Sequence, residues 1–299
     1  MRVALLVNAA AGRGRARSLA TAVGDRLAGA GADVVPLVAG DRASAEVAVA
    51  GVRDGVAAVL VLGGDGVVHA AVQGLAGSAT PLAVLPAGTG NDLALALGVP
   101  ADPLAALDAA LHDLATGGGR PLDLVRSSSA AGERWWATVL CCGLDSAVSD
   151  RVNRLRWPRG PRRYDVAIAV ELARLRPRSV RLTLDGVSTD HEVTLVAVGN
   201  TPFYGGGLRI CPDADPADGL LDVTVVGAVG RLELVRTRPR LADGTHVTHP
   251  AVRVLRGREV LLDSPEPLTT WADGEPVGPV PVRSVVVPGA LTVLGAGRR

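Results

Sequence analysis

Asp65 stands in Gly63-Gly64-Asp65-Gly66, at the end of the apolar run VLVL and directly before a helix-like stretch. Glycines let a backbone approach a phosphate closely and turn N–H groups toward it. The start of the next helix adds a dipole that favours anions. A carboxylate in such a loop repels phosphate unless a divalent cation stands between them. Asp65 therefore points to a Mg²⁺ ligand, direct or through water. The competing reading is a tight strand-to-helix turn with an N-capping aspartate. A second segment of this kind is LPAGTGND, residues 85–92. Thr89 and Asn91 offer a hydroxyl and an amide to phosphates, and Asp92 offers a carboxylate to a metal. Here too the plain alternative is a capped loop. Two acidic, Gly-rich loops at successive strand ends would meet at the carboxyl edge of a parallel sheet, where open α/β sheets bind ligands.

Three further segments carry weaker signals. Asn8-Ala9-Ala10-Ala11-Gly12-Arg13-Gly14 follows an apolar run and suits a nucleotide phosphate, with Arg13 to neutralise charge. Residues 200–226 combine a glycine run with Asp213, Asp215 and Asp218, an acidic turn able to hold a divalent ion or simply to join two strands. Trp271-Ala272-Asp273-Gly274-Glu275-Pro276 places two carboxylates on a turn, either of which could serve as general base toward a hydroxyl. Taken alone, those letters favour the plainer reading, an ordinary Asp-Gly hairpin. His246 and His249 have metal-like spacing but are expected as surface-loop residues.

These loops need a scaffold, and the first half supplies one. Strands are expected at 3–7, 34–38, 57–62 and 82–85, and helices at 18–30, 43–51, 67–75 and from 92. That alternation predicts an α/β domain with an open, largely parallel sheet over residues 1–122. From 123 to 288 strands dominate (135–140, 180–184, 193–198, 220–226, 252–256, 260–263 and 282–287), with one helical insert at 164–175. The expectation is a second, antiparallel β-sandwich-like domain. Residues 289–299 either close it or return to the first domain. Cys141 and Cys142 fall in a strand and are expected in the core.

Composition narrows the chemistry. The chain has 299 residues, a net charge of +1 and only 2% aromatics, which argues against nucleic acid as partner. All 31 basic residues are arginine. Mechanisms that need a side-chain lysine, including the GxxxxGK[ST] loop and Schiff-base chemistry, are excluded. Cysteine usage fits a reducing, cytoplasmic compartment. No apolar run is long enough to span a membrane. The segment Arg151–Arg163, rich in arginine around Trp157, reads either as a dock for anionic lipid headgroups, giving peripheral contact with the inner membrane face, or as a solvated basic loop.

GGDG at 63–66, PAGTGND at 86–92, ADGLLDV at 217–223 and ADGEP at 272–276 occur in this order. Together they resemble the diacylglycerol kinase catalytic-domain family, which includes bacterial lipid kinases, sphingosine kinases and ceramide kinases; GGDG alone is shared with NAD kinases. The resemblance spans nearly the whole chain. It implies an ATP- and Mg²⁺-dependent kinase of NAD kinase/diacylglycerol kinase-like fold, acting on a lipid hydroxyl of a diacylglycerol or a sphingoid-type base held between two domains. By position, it implies that Asn8, Ala9, Ala10, Ala11, Gly12, Gly63, Gly64, Asp65, Gly66 and Thr89 bind ATP. Asp65, Asp92 and Asp218 would form a Mg²⁺ and water network, and Asp218 with the carbonyls of Asp215 and Leu220 a structural metal site. The base would be Glu275 supported by Asp273, or Asp65 as in sphingosine kinases. The chain departs from the family at Val67, usually Thr, at Ala70, usually Glu, and at Ala9, usually Pro. Two rivals stay open: an NAD kinase-like enzyme, and a non-catalytic nucleotide- or lipid-binding regulator.

Overall fold

The computed structural model describes residues 1–7, 15–155, 157 and 162–297. The first half comprises β1 (Arg2–Val7), α1 (Arg15–Gly29), β2 (Asp33–Leu37), α2 (Arg42–Val52), β3 (Val59–Gly63), α3 (Asp65–Leu75), β4 (Leu82–Pro86), α4 (Asp92–Ala96) and α5 (Pro103–Thr116). The strands lie in the order β4-β3-β1-β2, all parallel, so every strand-to-helix loop opens on one edge. β3 and β4 are buried along their whole length. This explains their unbroken apolar runs, since helices cover both faces of a parallel sheet.

The second half contains β5 (Arg120–Ser129), β6 (Gly132–Trp136), β7 (Val139–Gly143), α6 (Leu144–Arg154), α7 (Arg162–Ala173), β8 (Arg178–Leu184), β9 (Val187–Gly199), β10 (Phe203–Tyr204), β11 (Leu208–Arg209), β12 (Leu221–Gly227), α8 (Arg231–Thr237), α9 (Arg240–Asp243), β13 (Val252–Gly257), β14 (Glu259–Asp263), β15 (Thr269–Ala272), β16 (Glu275–Pro279) and β17 (Val282–Leu294). Its strand pairs are antiparallel. Successive residues of β9 serve opposite faces: Val196 and Val198 pack with Trp136 and Leu140, Leu195 and Ala197 with Ile210 and Cys211. That is the two-residue period of a strand buried on both sides.

β17 joins the halves. Arg283–Val287 and Leu291–Val293 pair with β5 across an irregularity, and Val293 and Leu294 then run parallel to Leu82 and Ala83 of β4. Leu291, Val293 and Leu294 belong to the apolar core of the first half.

Several sequence expectations need correction. One strand was expected over 135–140, but the chain breaks between β6 and β7, at Ala137 and Thr138. Helices α5 and α6 were not expected. α5 carries a start signal, Asp102 accepting from the Leu104 and Ala105 N–H groups ahead of Pro103. α6 shows the spacing Leu144, Val148, Val152, masked by its polar remainder. The basic segment is therefore helical at both ends. Arg151 pairs with Glu171, Arg154 with Asp150 at 2.9 Å, and Trp157 is 81% exposed. His246 is buried, against expectation. Its Nε2 lies 3.1 Å from the Ile210 carbonyl, while His249 faces Glu233. Cys141, Cys142 and Cys211 are buried, and burial pushes the Cys142 and Cys211 thiols up to about 12.

Candidate functional site at the interdomain cleft

The GGDG and GTGND loops follow adjacent strands and touch. A Cβ on Gly64 would lie 2.9 Å from the Cα of Gly88, and one on Gly88 would overlap Gly64. These glycines are required by close approach. Gly90 plays the same part for a side chain, since a Cβ there would collide with the Asp65 carboxylate. With that path clear, Asp65 accepts from the backbone N–H of Asn91 at 2.9 Å and of Asp92 at 2.8 Å. Asn91 adopts a left-handed conformation (φ 61°), which asparagine tolerates. Its side chain clamps Gly88, accepting from the N–H at 3.1 Å and donating to the carbonyl at 3.0 Å. The Asn91 amide thus shapes the loop, while Thr89 stands exposed at its tip.

Asp92 begins α4 and is buried. Its carboxylate accepts from Gly207 N–H at 2.7 Å and Gly206 N–H at 3.0 Å, in the turn joining β10 and β11. The glycine run after Tyr204 therefore binds a carboxylate of the other domain. Burial raises the carboxyl groups of Asp65 and Asp92 above their ordinary range, against the backbone donors that lower them. Asp273 repels both, and Asp65 repels Asp92.

Asp273 is the third member of this group. It lies in the β15–β16 turn with φ 52°, followed by Gly274 with φ 80°. Paired positive φ values are what an Asp-Gly hairpin supplies. Its carboxylate accepts from Ala137 N–H at 3.0 Å, Thr138 N–H at 2.9 Å and the Thr138 hydroxyl at 2.5 Å. This is why the strand breaks at 137–138. Its Oδ2 also lies 3.1 Å from His69 Nδ1. Burial alone would raise Asp273, but His69, Thr138 and Ala137 outweigh it and hold the carboxyl below its ordinary value.

Asp65, His69 and Gln73 recur every fourth residue along α3, a polar stripe toward the second domain. Gln73 donates to the Trp135 carbonyl and accepts from Trp135 N–H at 3.2 Å. Sequence reasoning missed His69 and Gln73, although their spacing from Asp65 was visible. Val67 and Ala70, the departures from family pattern, are buried in the core of the first half.

Glu275 opens β16 and pairs with Arg42, the first residue of α2. Arg42 too was missed, because nothing in its neighbourhood reads as a motif. Arg209, which with Arg13 was a sequence candidate for neutralising phosphate charge, donates to the Pro212 carbonyl at 3.1 Å and lies 5.6 Å from the Phe203 ring centre.

Asp218 does not join Asp65 and Asp92 here. Arg256 bridges it to Asp222, and Leu220 N–H donates to it at 2.9 Å. Asp215 accepts from Ala217 N–H at 3.2 Å and faces Arg120 at 3.7 Å. Arg256 thus already supplies the countercharge at the turn that the resemblance assigns to a structural metal. Among the described residues, no three His, Cys, Asp or Glu side chains gather as a metal site. Mg²⁺ does not require such a cage, because it is usually held by one or two carboxylates plus substrate phosphates. Hard oxygen donors on Asp65 and Asp92, raised by burial and mutual repulsion, fit that role. The phosphate-binding reading of Asn8, Ala9, Ala10, Ala11 and Gly12, with Arg13, lies outside the described residues.

Two family models match the chain in succession. Residues 2–127 match the family model described as the diacylglycerol kinase catalytic domain, and residues 138–295 the YegS C-terminal NAD kinase beta sandwich-like domain. Over 297 residues the chain is 43% identical to a protein of Mycobacterium tuberculosis named diacylglycerol kinase, covering 98% of this chain and 94% of the relative. A Xanthomonas oryzae protein named "Probable lipid kinase YegS-like" is 33% identical over 249 residues, covering 80% of this chain and 79% of the relative. A crystal structure of a diacylglycerol kinase from Bacillus anthracis superposes with a TM-score of 0.74 at 21% identity, covering 98% of this chain and 96% of that one. At that identity the likeness concerns the fold.

Proposed function

The chain belongs to the diacylglycerol kinase catalytic-domain family, and from that premise we propose that it transfers the γ-phosphoryl group of ATP to a lipid hydroxyl, on a diacylglycerol or a similar acceptor. The observation that carries this reading is the approach of the Asp65, Asp92 and Asp273 carboxyl groups to one another, two from glycine loops of the first domain and one from the second. Phosphoryl transfer needs alignment and charge neutralisation more than covalent help.

ATP would lie across the carboxyl edge of the parallel sheet, its phosphates over Gly63–Gly66 and Thr89. Mg²⁺, when bound by Asp65 and Asp92, would offset phosphate charge. Glu275 is the proposed base. Asp273 is ill suited to that task, since its carboxylate is saturated with donors and held below its ordinary value. Asp65 accepts one backbone N–H on each oxygen, and its remaining lone pairs are assigned to the cation. Glu275 is held by Arg42. In the step, the bond between the γ-phosphorus and the β–γ bridging oxygen breaks. The lipid oxygen bonds to phosphorus, ADP leaves, and the hydroxyl proton passes to the Glu275 carboxylate. Asp273 positions the turn that carries Glu275.

No helix among the described residues is long and apolar enough to cross a membrane. A lipid acceptor would be met at a membrane surface. The α6–α7 region is the proposed contact, through exposed Trp157 and Tyr164 with Arg162 beside them. The test is transfer of radiolabel from γ-labelled ATP to a panel of lipids in mixed micelles, with NAD as a rival acceptor. Labelling of diacylglycerol or a related lipid is expected. Labelling of NAD alone, or of no acceptor, refutes the reading.

A further inference from the structure

Arg42 occupies a position that helix physics disfavours. Asp41 fixes the start of α2 through a capping box with Ser44, accepting from its N–H at 2.8 Å, which makes Arg42 the first helical residue. A cation there opposes the positive end of the helix dipole. Its ion pair joins a half-exposed guanidinium to the largely buried Glu275 carboxylate, so Arg42 stands there for Glu275 and not for the helix. Such local conflicts tend to mark function.

The surroundings indicate which function. α2 starts at the same sheet edge as the phosphate-type loops. The Arg42 guanidinium lies over Gly66, where a Cβ would sit 3.5 Å from its Nε and 4.0 Å from its Cζ. It therefore spans the space between the GGDG loop and Glu275. The chain contains no lysine, so a permanently charged side-chain cation able to act on a phosphoryl group there must be arginine. Guanidinium offers a planar fork of donors that matches phosphoryl oxygens.

Resting on the kinase reading above, we infer that Arg42 is the cation that contacts the γ-phosphoryl group. It holds Glu275 before nucleotide binds and releases it when the guanidinium turns to the phosphoryl oxygens. The base is thereby freed only when the group to be transferred is in place. Arg42 donates hydrogen bonds throughout and gives up no proton.

Two readouts on the full-length chain test this, with Arg42→Ala and Arg42→Lys. The first is Kd for fluorescent ATP and ADP analogues in the presence of Mg²⁺. Arg42→Ala is expected to weaken the ATP analogue about tenfold and the ADP analogue less than about twofold, with Arg42→Lys between. The second is lipid phosphorylation. Arg42→Ala is expected to lose about 10²-fold in kcat with little change in lipid KM, and added methylguanidinium to restore part of it. Equal effects on both analogues, unchanged kcat, or no rescue of a folded variant would overturn the inference. A wild-type chain that binds both analogues but labels no lipid refutes the kinase reading instead, and the ATP-to-ADP contrast still judges Arg42. An Arg42→Ala variant that does not fold leaves Arg42→Lys to decide by the same contrast.

Discussion

Replacing Asp273 by asparagine should test how the cleft is held together. Asp273 Oδ1 accepts from the Thr138 N–H and hydroxyl, and Oδ2 from Ala137 N–H beside His69 Nδ1. Asparagine has one oxygen and one NH₂. The Thr138 hydroxyl can rotate and His69 can change tautomer, but neither backbone N–H can. Whichever way the amide turns, one buried N–H faces another donor, at a cost of about 1–3 kcal/mol. The bonds that remain lose their charge assistance. Against this, the variant removes a buried charge and its repulsion of Asp65 and Asp92. The net expectation is a loss of about 2 kcal/mol at pH 7, or roughly 4 °C in Tm. The pH dependence has a defined sign. Because the folded carboxyl lies below its ordinary value of 3.8, its contribution is full above that pH and fades as pH falls through the lowered value. Urea unfolding of wild type and Asp273→Asn from pH 7 downward measures the difference. A variant as stable as wild type at pH 7, or a gap that does not narrow below pH about 3.8, would refute the reasoning.

Gly88→Ala should abolish turnover and lower Tm, because its Cβ overlaps Gly64 and forces the two loops apart; activity and melting measured together check this. Arg256→Ala leaves Asp222, whose carboxyl burial already raises, without its partner. After discounting for the solvent-exposed guanidinium, a loss of about 1 kcal/mol is expected, growing as pH rises from 4 to 7 in denaturation experiments. Burial raises Asp65 and Asp92, so their contribution to stability is full below pH 3.8 and is lost as pH rises through their folded values. Mg²⁺ binds their ionised forms, so it should raise Tm more at pH 7 than at pH 4, as scanning calorimetry would show.

Residues 200–226 illustrate how an acidic cluster divides once folded. Its glycines serve Asp92 across the cleft, while Asp218 turns to Arg256. Asp123 links this turn to β17, accepting from Gly219 N–H at 2.7 Å and Gly289 N–H at 2.8 Å. The spacing of acidic residues along a chain does not tell which carboxylates will face one another.

The parallel α/β half was legible because its buried strands are continuous apolar runs and its loops carry glycine and capping residues, all of them local signals. The strand-to-helix glycine turns at Gly63–Gly66 and at residues 86–92 were legible for the same reason. The strand break at Ala137 and Thr138 was not, since those N–H groups leave the ladder for a carboxylate more than a hundred residues away. Nor were His69, Gln73 and Arg42 as partners of Asp273, Trp135 and Glu275. Each lies on a helix of one domain, and its role exists only where a turn or strand of the other reaches it. Local sequence determined where the glycine loops fall, at the carboxyl ends of β3 and β4. The packing of two domains decided which carboxylates are pinned, which are raised, and which are held by arginines, because burial and the choice of counter-ion are set by neighbours distant in the chain.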